Sequence, residues 1–447
     1  MRPTIVLVGR PNVGKSTLFN RLTKSHQAIV MDEPGVTRDR HFGHGRVGDK
    51  PYWVVDTGGF EIQPSHNLIQ QSIRQTLRAI DEADVVIFLL DAQVGVTAQD
   101  KLLADELRKY QGLLFLVTNK SEGMISDLAT ADFYELGLGQ PYAISAAHGH
   151  NIRELMLLIL ENFVNDDKIT EVHKNHPIFA IIGRPNVGKS TLVNTMLGEE
   201  RVITFDQPGT TRDSIFIDFS FKDRPYTLID TAGMRRKSRI DQKVEKFSIL
   251  KTLRAMDEAN VALLMLDAKE AIADQDGAIA KLALEAGCAL VIAINKWDDI
   301  NQTEKDILKQ AFHQKLAFLS FAKFHYISAL KSSGISEIFQ SIDEAYAASN
   351  IKLPTPKLTK ILIAATKTQM PSRVGKIIPK LRYAHQGGNL PPTIVIHGNA
   401  LQLVSKHYTR FLENRFRQAF HLVGTPLKIQ YKTGRNPYHK KVTSFKR

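Results

Sequence analysis

A glycine-rich decapeptide occurs twice in the chain, and its residue types suit the binding of phosphate. The sequence Gly-Arg-Pro-Asn-Val-Gly-Lys-Ser-Thr-Leu spans residues 9–18 and is repeated without change at residues 183–192, 174 positions later. Gly-x-x-x-x-Gly-Lys-Ser is the pattern of a P-loop, whose backbone N–H groups surround phosphate oxygens at the start of a helix. We therefore predict two sites with the same phosphate-binding loop.

The lysine and the serine of each loop have distinct predicted roles. Lys15 and Lys189 are predicted to reach the β- and γ-phosphates of a nucleotide, and the hydroxyls of Ser16 and Ser190 to bind Mg²⁺. Each loop follows a short apolar run and precedes a helical pattern, which is the context that a P-loop requires. The predicted loop residues are Gly9, Arg10, Pro11, Asn12, Val13, Gly14, Lys15 and Ser16, and in the second copy Gly183, Arg184, Pro185, Asn186, Val187, Gly188, Lys189 and Ser190.

Each P-loop is followed by an aspartate at the end of a further predicted strand. A carboxylate at that place can hold Mg²⁺ through water, and the amide of the glycine three residues later can meet the γ-phosphate. The two segments are Asp56-Thr57-Gly58-Gly59 and Asp230-Thr231-Ala232-Gly233.

Asn-Lys pairs after later apolar strands are predicted to select the base. In the second copy the carboxylate of Asp298 can accept hydrogen bonds from guanine N1–H and N2–H₂, a donor pair that adenine lacks, so the motif favours GTP over ATP. In the first copy Glu122 keeps the charge but moves the acceptor by about 1 Å unless the loop adjusts. A Ser-Ala pair after the last strand of each copy is placed to offer a backbone amide to guanine O6. The segments are Asn119-Lys120-Ser121-Glu122 with Ser145-Ala146, and Asn295-Lys296-Trp297-Asp298 with Ser328-Ala329.

These motifs belong to two tandem copies of one domain, and a third domain follows them. In each copy short β-branched runs alternate with helical patterns, which predicts an α/β fold with a doubly wound, mostly parallel sheet. Beyond residue 350 an α-β-β-α-β order predicts an α+β domain. The predicted boundaries are 1–165 for the first nucleotide-binding domain, 166–176 for a linker, 177–350 for the second nucleotide-binding domain and 351–447 for the C-terminal domain.

Positive charge is concentrated in the C-terminal domain. Residues 351–447 contain 19 lysines and arginines and one acid, Glu413, whereas the remaining 350 residues contain 40 bases and 45 acids. A net charge of +18 in one domain is typical of proteins that bind nucleic acid. The bases are spread along the domain, which favours distributed phosphate contacts, and they include Arg415 and Arg417 on a predicted helix. Tyr383 and Tyr431 lie on predicted strands and could stack on bases, but we expect them to fill the core.

Composition excludes several other classes of protein. The single cysteine, Cys288, excludes an intramolecular disulfide and is predicted to be a small core residue. No apolar run approaches the ~18 residues that span a bilayer, so we expect a cytoplasmic protein without a membrane partner. Asp91 and Asp267 each end a predicted strand, and we expect them to position neighbouring loops.

The order P-loop, threonine, Asp-x-x-Gly, Asn-Lys-x-Asp and Ser-Ala, present twice, resembles the Der (EngA) family of tandem GTPases in the TrmE-Era-EngA-YihA-septin-like superfamily. The resemblance implies a C-terminal KH-like domain and hydrolysis of GTP to GDP and phosphate, and we expect the protein to act as a monomer. It also implies a role in assembly of the large (50S) bacterial ribosomal subunit through nucleotide-dependent binding of its rRNA. Further similar segments are Thr37-Arg38-Asp39, Thr211-Arg212-Asp213, Met234-Arg235-Arg236-Lys237 and Tyr383-Ala384-His385.

The resemblance implies roles for single residues as well. Thr37 and Thr211 match the switch threonines that close on Mg²⁺ and the γ-phosphate, and Asn12 and Asn186 match a P-loop asparagine that helps to hold K⁺. The implied Mg²⁺ ligands are Ser16, Thr37 and Asp56 in the first site and Ser190, Thr211 and Asp230 in the second.

The position after Asp-x-x-Gly, where many small GTPases place a water-orienting glutamine, is Phe60 in the first copy and Met234 in the second. Neither side chain can orient water by hydrogen bonding, which predicts slow hydrolysis without a monovalent cation or a partner. Simple packing beside the nucleotide is the alternative role of these two residues.

Two departures from the family pattern leave expectations open. Glu122 leaves the guanine affinity of the first site undetermined. The C-terminal domain lacks the Gly-x-x-Gly loop by which KH domains clamp a nucleic-acid backbone, because Gly387 and Gly388 are adjacent. The sequence thus allows two functions: a GTPase that acts as an assembly switch on rRNA, or an RNA-binding scaffold whose nucleotide sites turn over negligibly.

Overall fold

The computed structural model describes residues 2–24, 29–31, 40–57, 80, 82–163, 176–198, 215–230, 249–270 and 272–433. The chain divides into two compact units. The first unit contains residues 1–258 and 270–286, and the second contains residues 259–269 and 287–447. Within the described ranges, no helix combines the length and the apolar character needed to cross a membrane.

The first copy folds as one seven-stranded sheet. Its strands are β1 (Thr4–Val8), β2 (Ile29–Met31), β3 (Arg40–Gly45), β4 (Tyr52–Asp56), β5 (Val85–Asp91), β6 (Leu113–Asn119) and β7 (Tyr142–Ala143). Their order is β2-β3-β4-β1-β5-β6-β7. The parallel pairs are β4–β1, β1–β5, β5–β6 and β6–β7, and the antiparallel pairs are β2–β3 and β3–β4. Helices cover Lys15–Thr23, Ala98–Leu107, Ser126–Thr130 and Ile152–Glu161.

Burial explains why the central strands of this sheet are apolar along their whole length. Every residue of β1, β4 and β5 is buried, as expected for parallel strands covered on both faces. The helix Ile152–Glu161 adds an apolar stripe to the core beneath them. The cluster includes Ile5, Leu7, Val54, Ile87, Leu155, Met156 and Ile159.

The strands of the second copy are divided between the two units. In the first unit, β8 (Ile178–Ile182) pairs in parallel with β10 (Arg224–Asp230), which pairs antiparallel with β9 (Ile215–Phe221). In the second unit, β11 (Val261–Asp267), β12 (Ala289–Asn295) and β13 (Lys323–Tyr326) follow one another in parallel. Helices cover Lys189–Gly198, Ile249–Glu258 and Asp274–Ala286 in the first unit, and Gln302–Lys315 and Ile335–Ser349 in the second.

The predicted alternation of short strands and helices is present in both copies, and the sheets also contain three antiparallel strands, β2, β3 and β9. β2 has only three residues, and β3 reads Arg-His-Phe-Gly-His-Gly, which lacks β-branched residues. β9 reads Ile-Phe-Ile-Asp-Phe-Ser-Phe, and its apolar character was a usable strand signal.

The C-terminal domain has the predicted α-β-β-α-β order. A helix at Thr355–Thr368 precedes β14 (Lys380–Gly388) and β15 (Thr393–Asn399), and a helix at Lys406–Phe420 precedes β16 (Lys428–Thr433). β15 lies between β14, its antiparallel neighbour, and β16, its parallel neighbour. The second helix begins at Lys406, because Ser405 caps it by accepting a hydrogen bond from the Tyr408 amide. The core of the C-terminal domain includes Leu358, Leu362, Ile394, Ile396, Leu412 and Phe416.

Within the second unit, Gly424 joins the C-terminal domain to the second copy. Its carbonyl accepts a hydrogen bond from the Leu290 amide at 2.5 Å, and its amide donates to the Phe321 carbonyl at 2.8 Å. Gly424 has a φ of +72°, and a Cβ there would lie 2.7 Å from the Cβ of Ala345. A glycine is therefore required where the two backbones meet.

Arg417 reinforces the same junction, contrary to its predicted place on an RNA-facing surface. Its guanidinium carbon lies 4.1 Å from the centroid of the Phe321 ring, and its Nη1 donates to the Thr425 carbonyl at 2.6 Å. Burial lowers the pKa of Arg417 to about 10. The guanidinium is thus a structural group.

Within the first unit, the helix Ile249–Glu258 of the second copy contacts the first copy. The carboxylate of Asp257 lies 3.1 Å from Nη1 of Arg2 and accepts a hydrogen bond from Nε1 of Trp53 at 2.8 Å. Arg254 pairs with Asp84 at 3.0 Å. Burial raises the pKa of Asp257 to about 6, although Arg2 and the Trp53 N–H both favour its charged form.

Candidate nucleotide-binding sites

The first P-loop connects β1 to the helix Lys15–Thr23, as predicted, and its backbone requires two glycines. Gly9 has a φ of +154°, and a Cβ there would lie 2.3 Å from the Leu89 carbonyl oxygen. Gly14 has a φ of +99°, and a Cβ there would lie 2.2 Å from Nδ2 of Asn119. Any side chain at either position would displace the backbone that forms the loop.

Lys15 lies folded into this loop. Its side chain is 4% exposed, and its Nζ donates to the carbonyls of Gly9 at 2.9 Å and Arg10 at 2.7 Å. The two carbonyl acceptors fix the position of the ammonium group within the loop. The loop therefore holds a fixed cation where an anion would bind.

Oxygen ligands converge beside the lysine. The Ser16 hydroxyl donates to Oδ2 of Asp56 at 2.9 Å, and Asp56 is 2% exposed at the end of β4. A hydroxyl and a carboxylate are hard oxygen donors, the type that Mg²⁺ prefers, so the pair fits a magnesium site. Thr57 turns away from it, donating to the Leu7 carbonyl at 2.9 Å.

Asn119 ties the phosphate loop to the predicted base loop. Its Nδ2 donates to the Val13 carbonyl at 2.7 Å, and its Oδ1 accepts from the Ala146 amide at 2.8 Å. The side chain is 3% exposed. One asparagine thus fixes the position of the Ser-Ala segment relative to the P-loop.

Asp91 positions the same loop, as predicted. The Nζ of Lys120 pairs with Oδ2 of Asp91 at 2.7 Å. In the second copy, Lys296 pairs with Asp267 in the same way. Both lysines adopt positive φ, +64° and +63°, which directs the chain away from the strand towards the base-selecting carboxylate. Cys288, also as predicted, is buried.

The acidic residue that ends each Asn-Lys motif is held by the serine of the Ser-Ala pair. Hydrogen bonding by the Ser145 hydroxyl lowers the pKa of Glu122, and the Ser328 hydroxyl lowers the pKa of Asp298. Lys331 adds a contact of 3.0 Å to Oδ2 of Asp298. The longer glutamate therefore reaches the same serine as the aspartate. Among the described residues, Oε2 of Glu122 has no hydrogen-bond partner and is shielded from solvent.

The P-loop of the second copy, which lies in the first unit, has the same backbone geometry as the P-loop of the first copy. Gly183, Asn186 and Gly188 have φ values of +145°, +64° and +99°, close to those of their equivalents. The Nζ of Lys189 donates to the Arg184 carbonyl at 2.8 Å, and Lys189 is 6% exposed. The identical sequences thus fold into the same loop.

The base-proximal residues of the second copy lie in the second unit. Oδ1 of Asn295 accepts from the Ala329 amide at 2.9 Å, as Asn119 does from Ala146. The Trp297 ring lies 4.4 Å from that of Tyr326, centroid to centroid. This contact supports the loop that presents Asp298.

A buried aspartate behind each P-loop was not predicted. Nε of Arg10 lies 3.4 Å from Asp100, and Nε of Arg184 lies 2.8 Å from Asp276. Both aspartates are 0% exposed and lie in the first turn of a helix. They are 176 residues apart, like Asn119 and Asn295, so the repeat offset was a signal that could have identified them. They anchor the P-loop arginines.

Several predicted site residues lie outside the described residues, and so does the side chain of Asp230. The remaining described members are Pro11, Pro185, Val187 and Ser121, which lie in the predicted loops, and Ser190, which lies in the first turn of the helix Lys189–Gly198. Those outside are Thr37, Gly58, Gly59, Phe60, Thr211, Thr231, Ala232, Gly233 and Met234.

The geometry predicts that Glu122 binds the base as fully as Asp298 does. Replacing Glu122 with alanine removes a charged acceptor, so we expect GDP affinity at the first site to fall roughly 10- to 100-fold. Glu122→Gln, which keeps the length and removes the charge, should behave similarly. Fluorescent GDP titration in a Lys189→Met background isolates this site, and Asp298→Ala in a Lys15→Met background is the matched control. An unchanged affinity in Glu122→Ala would show that the carboxylate does not contact the base.

Two P-loop domains with Asn-Lys motifs, joined to a small α+β domain, define a tandem GTPase. The family model described as "50S ribosome-binding GTPase" matches residues 4–120 and 178–296, and that of the "KH-domain-like of EngA bacterial GTPase enzymes, C-terminal" matches residues 352–432. The chain belongs to the GTPase Der (EngA) family. It is a GTP-binding enzyme with two GTPase domains and a C-terminal KH-like domain, and GTPases of this family generally use Mg²⁺.

Curated relatives cover nearly the whole chain. GTPase Der of Chromobacterium violaceum is 57% identical over 438 residues, which are 98% of this chain and 93% of the relative. GTPase Der of Nitrosospira multiformis is 58% identical over 439 residues, 98% of this chain and 94% of the relative. A crystal structure of Era with MgGDPNP and 16S rRNA nucleotides is 22% identical, covers 58% of this chain and 93% of that one, and has a TM-score of 0.28, too low to bear on function.

Proposed function

We propose that this GTPase acts in assembly and maturation of the large (50S) ribosomal subunit and binds rRNA in a nucleotide-dependent way. The observation that carries the proposal is a pair of GTPase domains joined to a KH-like domain with a net charge of +18. Phosphate-rich RNA is the partner that such a charge attracts. We further propose that it acts as a monomer in the bacterial cytoplasm, with domain boundaries at 1–165, 177–350 and 351–447.

Each GTPase site is proposed to work chiefly by positioning charge. Lys15 and Lys189 exchange backbone carbonyls for phosphate oxygens when nucleotide binds, and backbone amides of the loop surround the same oxygens. Asn119 and Asn295 keep the base loop in place, and Glu122 and Asp298 accept the guanine donors. Ser16, Thr37 and Asp56 in the first site, and Ser190, Thr211 and Asp230 in the second, would hold Mg²⁺, which would neutralise charge on the phosphates.

Sedimentation with ribosomal subunits tests the proposed function. The full-length protein is incubated with purified large or small subunits in GDP, GTP or a non-hydrolysable GTP analogue, and bound protein is measured in the pellet. We expect binding to large subunits, stronger in one nucleotide state than in the others. A Lys15→Met, Lys189→Met protein should lose that nucleotide dependence. Equal pelleting with both subunits in every state would contradict the proposal.

Potassium is expected to accelerate hydrolysis. Asn12 lies exposed at the tip of its P-loop with a φ of +64°, and Asn186 has the same φ. We propose that each amide oxygen helps to hold K⁺ against the phosphates. The cation would then supply a positive charge that the side chains of Phe60 and Met234 cannot supply. Phosphate release without a partner should be on the order of 10⁻⁴–10⁻² s⁻¹ and faster in K⁺ than in Na⁺ at equal ionic strength. Asn12→Ala, Asn186→Ala protein should respond to the two cations alike. Equal rates for the unmodified protein would remove K⁺ from the mechanism.

A further inference from the structure

The outer face of the C-terminal sheet carries a row of parallel aromatic rings. The rings of Tyr383 and His397 are 4.5 Å apart between centroids with an interplanar angle of 2°. His385 continues the row at 5.1 Å from His397 and 27°. Tyr383 is 45% exposed, although the sequence predicts it in the core.

A β-bulge places this row on the surface. Leu381 pairs with Gly398 and packs against the core, whereas the next paired residue, Tyr383, faces His397. One residue is therefore extra in β14, and the alternation of inward and outward side chains reverses there. Ala384 consequently points inward and is fully buried.

The chemistry of this face matches single-stranded RNA. Strands β14, β15 and β16 contain no acidic residue, and Lys380, Arg382 and Lys432 on them are exposed. His397 pairs in register with Lys432. Desolvation, with further contributions from His385 and Lys432, lowers the pKa of His397, which favours the neutral ring. Its Nε2 has no hydrogen-bond partner among the described residues.

Gly387 of the adjacent Gly387-Gly388 pair has a packing role and does not form a clamping loop. A Cβ on Gly387 would lie 2.5 Å from Cγ2 of Val395 on the neighbouring strand. Gly387 is therefore needed for close approach of β14 and β15. Because these glycines do not form a clamping loop, the aromatic row is the feature of this sheet that suits base recognition.

We propose that the row formed by Tyr383, His397 and His385 is a stacking platform for an unpaired RNA base, with Lys380, Arg382 and Lys432 contacting the flanking phosphates. The inference rests on the proposed function and adds base stacking to phosphate contact. The base continues the ring row on the open face of Tyr383. Such stacking does not depend on base identity, because every base has a π-face.

The test uses the full-length protein and a fluorescein-labelled 12-nucleotide single-stranded RNA containing one 2-aminopurine. Tyr383→Ala and Tyr383→Leu should each weaken binding roughly 5- to 100-fold, while Tyr383→Phe should bind like the unmodified protein. Quenching of 2-aminopurine on binding should be lost in the alanine and leucine variants. The dependence of affinity on salt should stay unchanged, because no phosphate contact is removed. Tyr134→Ala is the matched control, since Tyr134 is 53% exposed in the first copy.

Other results would overturn the inference. Unchanged affinity in both Tyr383→Ala and Tyr383→Leu would exclude a stacking role, and loss in Tyr383→Phe equal to that in Tyr383→Ala would assign the contact to the hydroxyl. If the unmodified protein pellets with large subunits while these variants bind RNA normally, only the platform is wrong. If the unmodified protein binds neither subunit nor RNA, the proposed function itself fails.

Discussion

Replacing Lys189 with methionine is expected to lower GTP hydrolysis at the second site about 10²- to 10³-fold, and Lys15→Met should do the same at the first. Each lysine is almost fully buried and held by P-loop carbonyls, at 2.9 and 2.7 Å for Lys15 and 2.8 Å for Lys189. Its charge is therefore in place before phosphate arrives. Methionine keeps much of the side-chain volume but leaves the developing charge on the phosphates uncompensated.

Single-turnover phosphate release separates the two sites. Because total hydrolysis is the sum of both, each single variant reports the contribution of the other site, and the double variant should be nearly inactive. Lys101→Met is the matched control, because Lys101 is exposed and pairs with Glu135 on the surface. Substantial hydrolysis by the double variant would show that catalysis does not depend on the P-loop lysines.

The second large effect is expected from the basic residues of the C-terminal sheet. Replacing Lys380, Arg382, Lys428 and Lys432 with glutamine should weaken large-subunit binding on the order of 10²- to 10³-fold at 0.1 M salt. The reason is counterion release: each phosphate contact with unpaired RNA contributes about −0.7 to the log–log salt slope. If six bases contact phosphate, the full slope is near −4, and four lost contacts reduce its magnitude by about 2.8.

A salt titration of subunit binding measures both quantities. The control replaces Lys101, Lys109, Lys281 and Lys315, which are exposed in the GTPase copies, with glutamine and should leave the slope unchanged. Substitution is sharper than deletion of the domain, because deletion removes the Gly424 contacts to Leu290 and Phe321. The same slope and affinity in the fourfold variant would mean that the GTPase domains anchor the ribosome instead.

The sequence predicted best those features that chemistry constrains most tightly. The P-loops, the Asn-Lys motifs and the Ser-Ala pairs follow from residue type and spacing, and the repeat places each of them twice. The folded loops agree: Asn119 joins Val13 to Ala146, a connection that the strand order of the sheet makes possible. Parallel strands buried on both faces were equally clear, since they must be apolar throughout.

Features that depend on the packing of a single residue were harder to predict from the sequence. Alternation from Leu381 places Tyr383 in the core, and only the bulge reverses that prediction. The count of basic residues includes Arg417, but a count does not reveal that its guanidinium packs on Phe321. Glu122 looks displaced by a methylene, yet the Ser145 hydroxyl holds its carboxylate as Ser328 holds that of Asp298. In each case a tertiary contact decides the outcome.

The stability of the contact of Asp257 with Trp53 and Arg2 in the first unit is coupled to protonation of the Asp257 carboxylate. The pKa of Asp257 is about 6 in the folded state and 3.8 ordinarily, because burial outweighs the opposing effects of Arg2 and the Trp53 N–H, so protonation favours the buried position of Asp257. The stabilisation is complete below pH 4 and declines by at most roughly 3 kcal/mol as the pH rises through 6. Linkage is reciprocal: whatever draws the helix Ile249–Glu258 away from Trp53 must also return the pKa of Asp257 towards its ordinary value. The pKa of Asp257 therefore reports whether the helix Ile249–Glu258 of the second copy is in contact with the first copy.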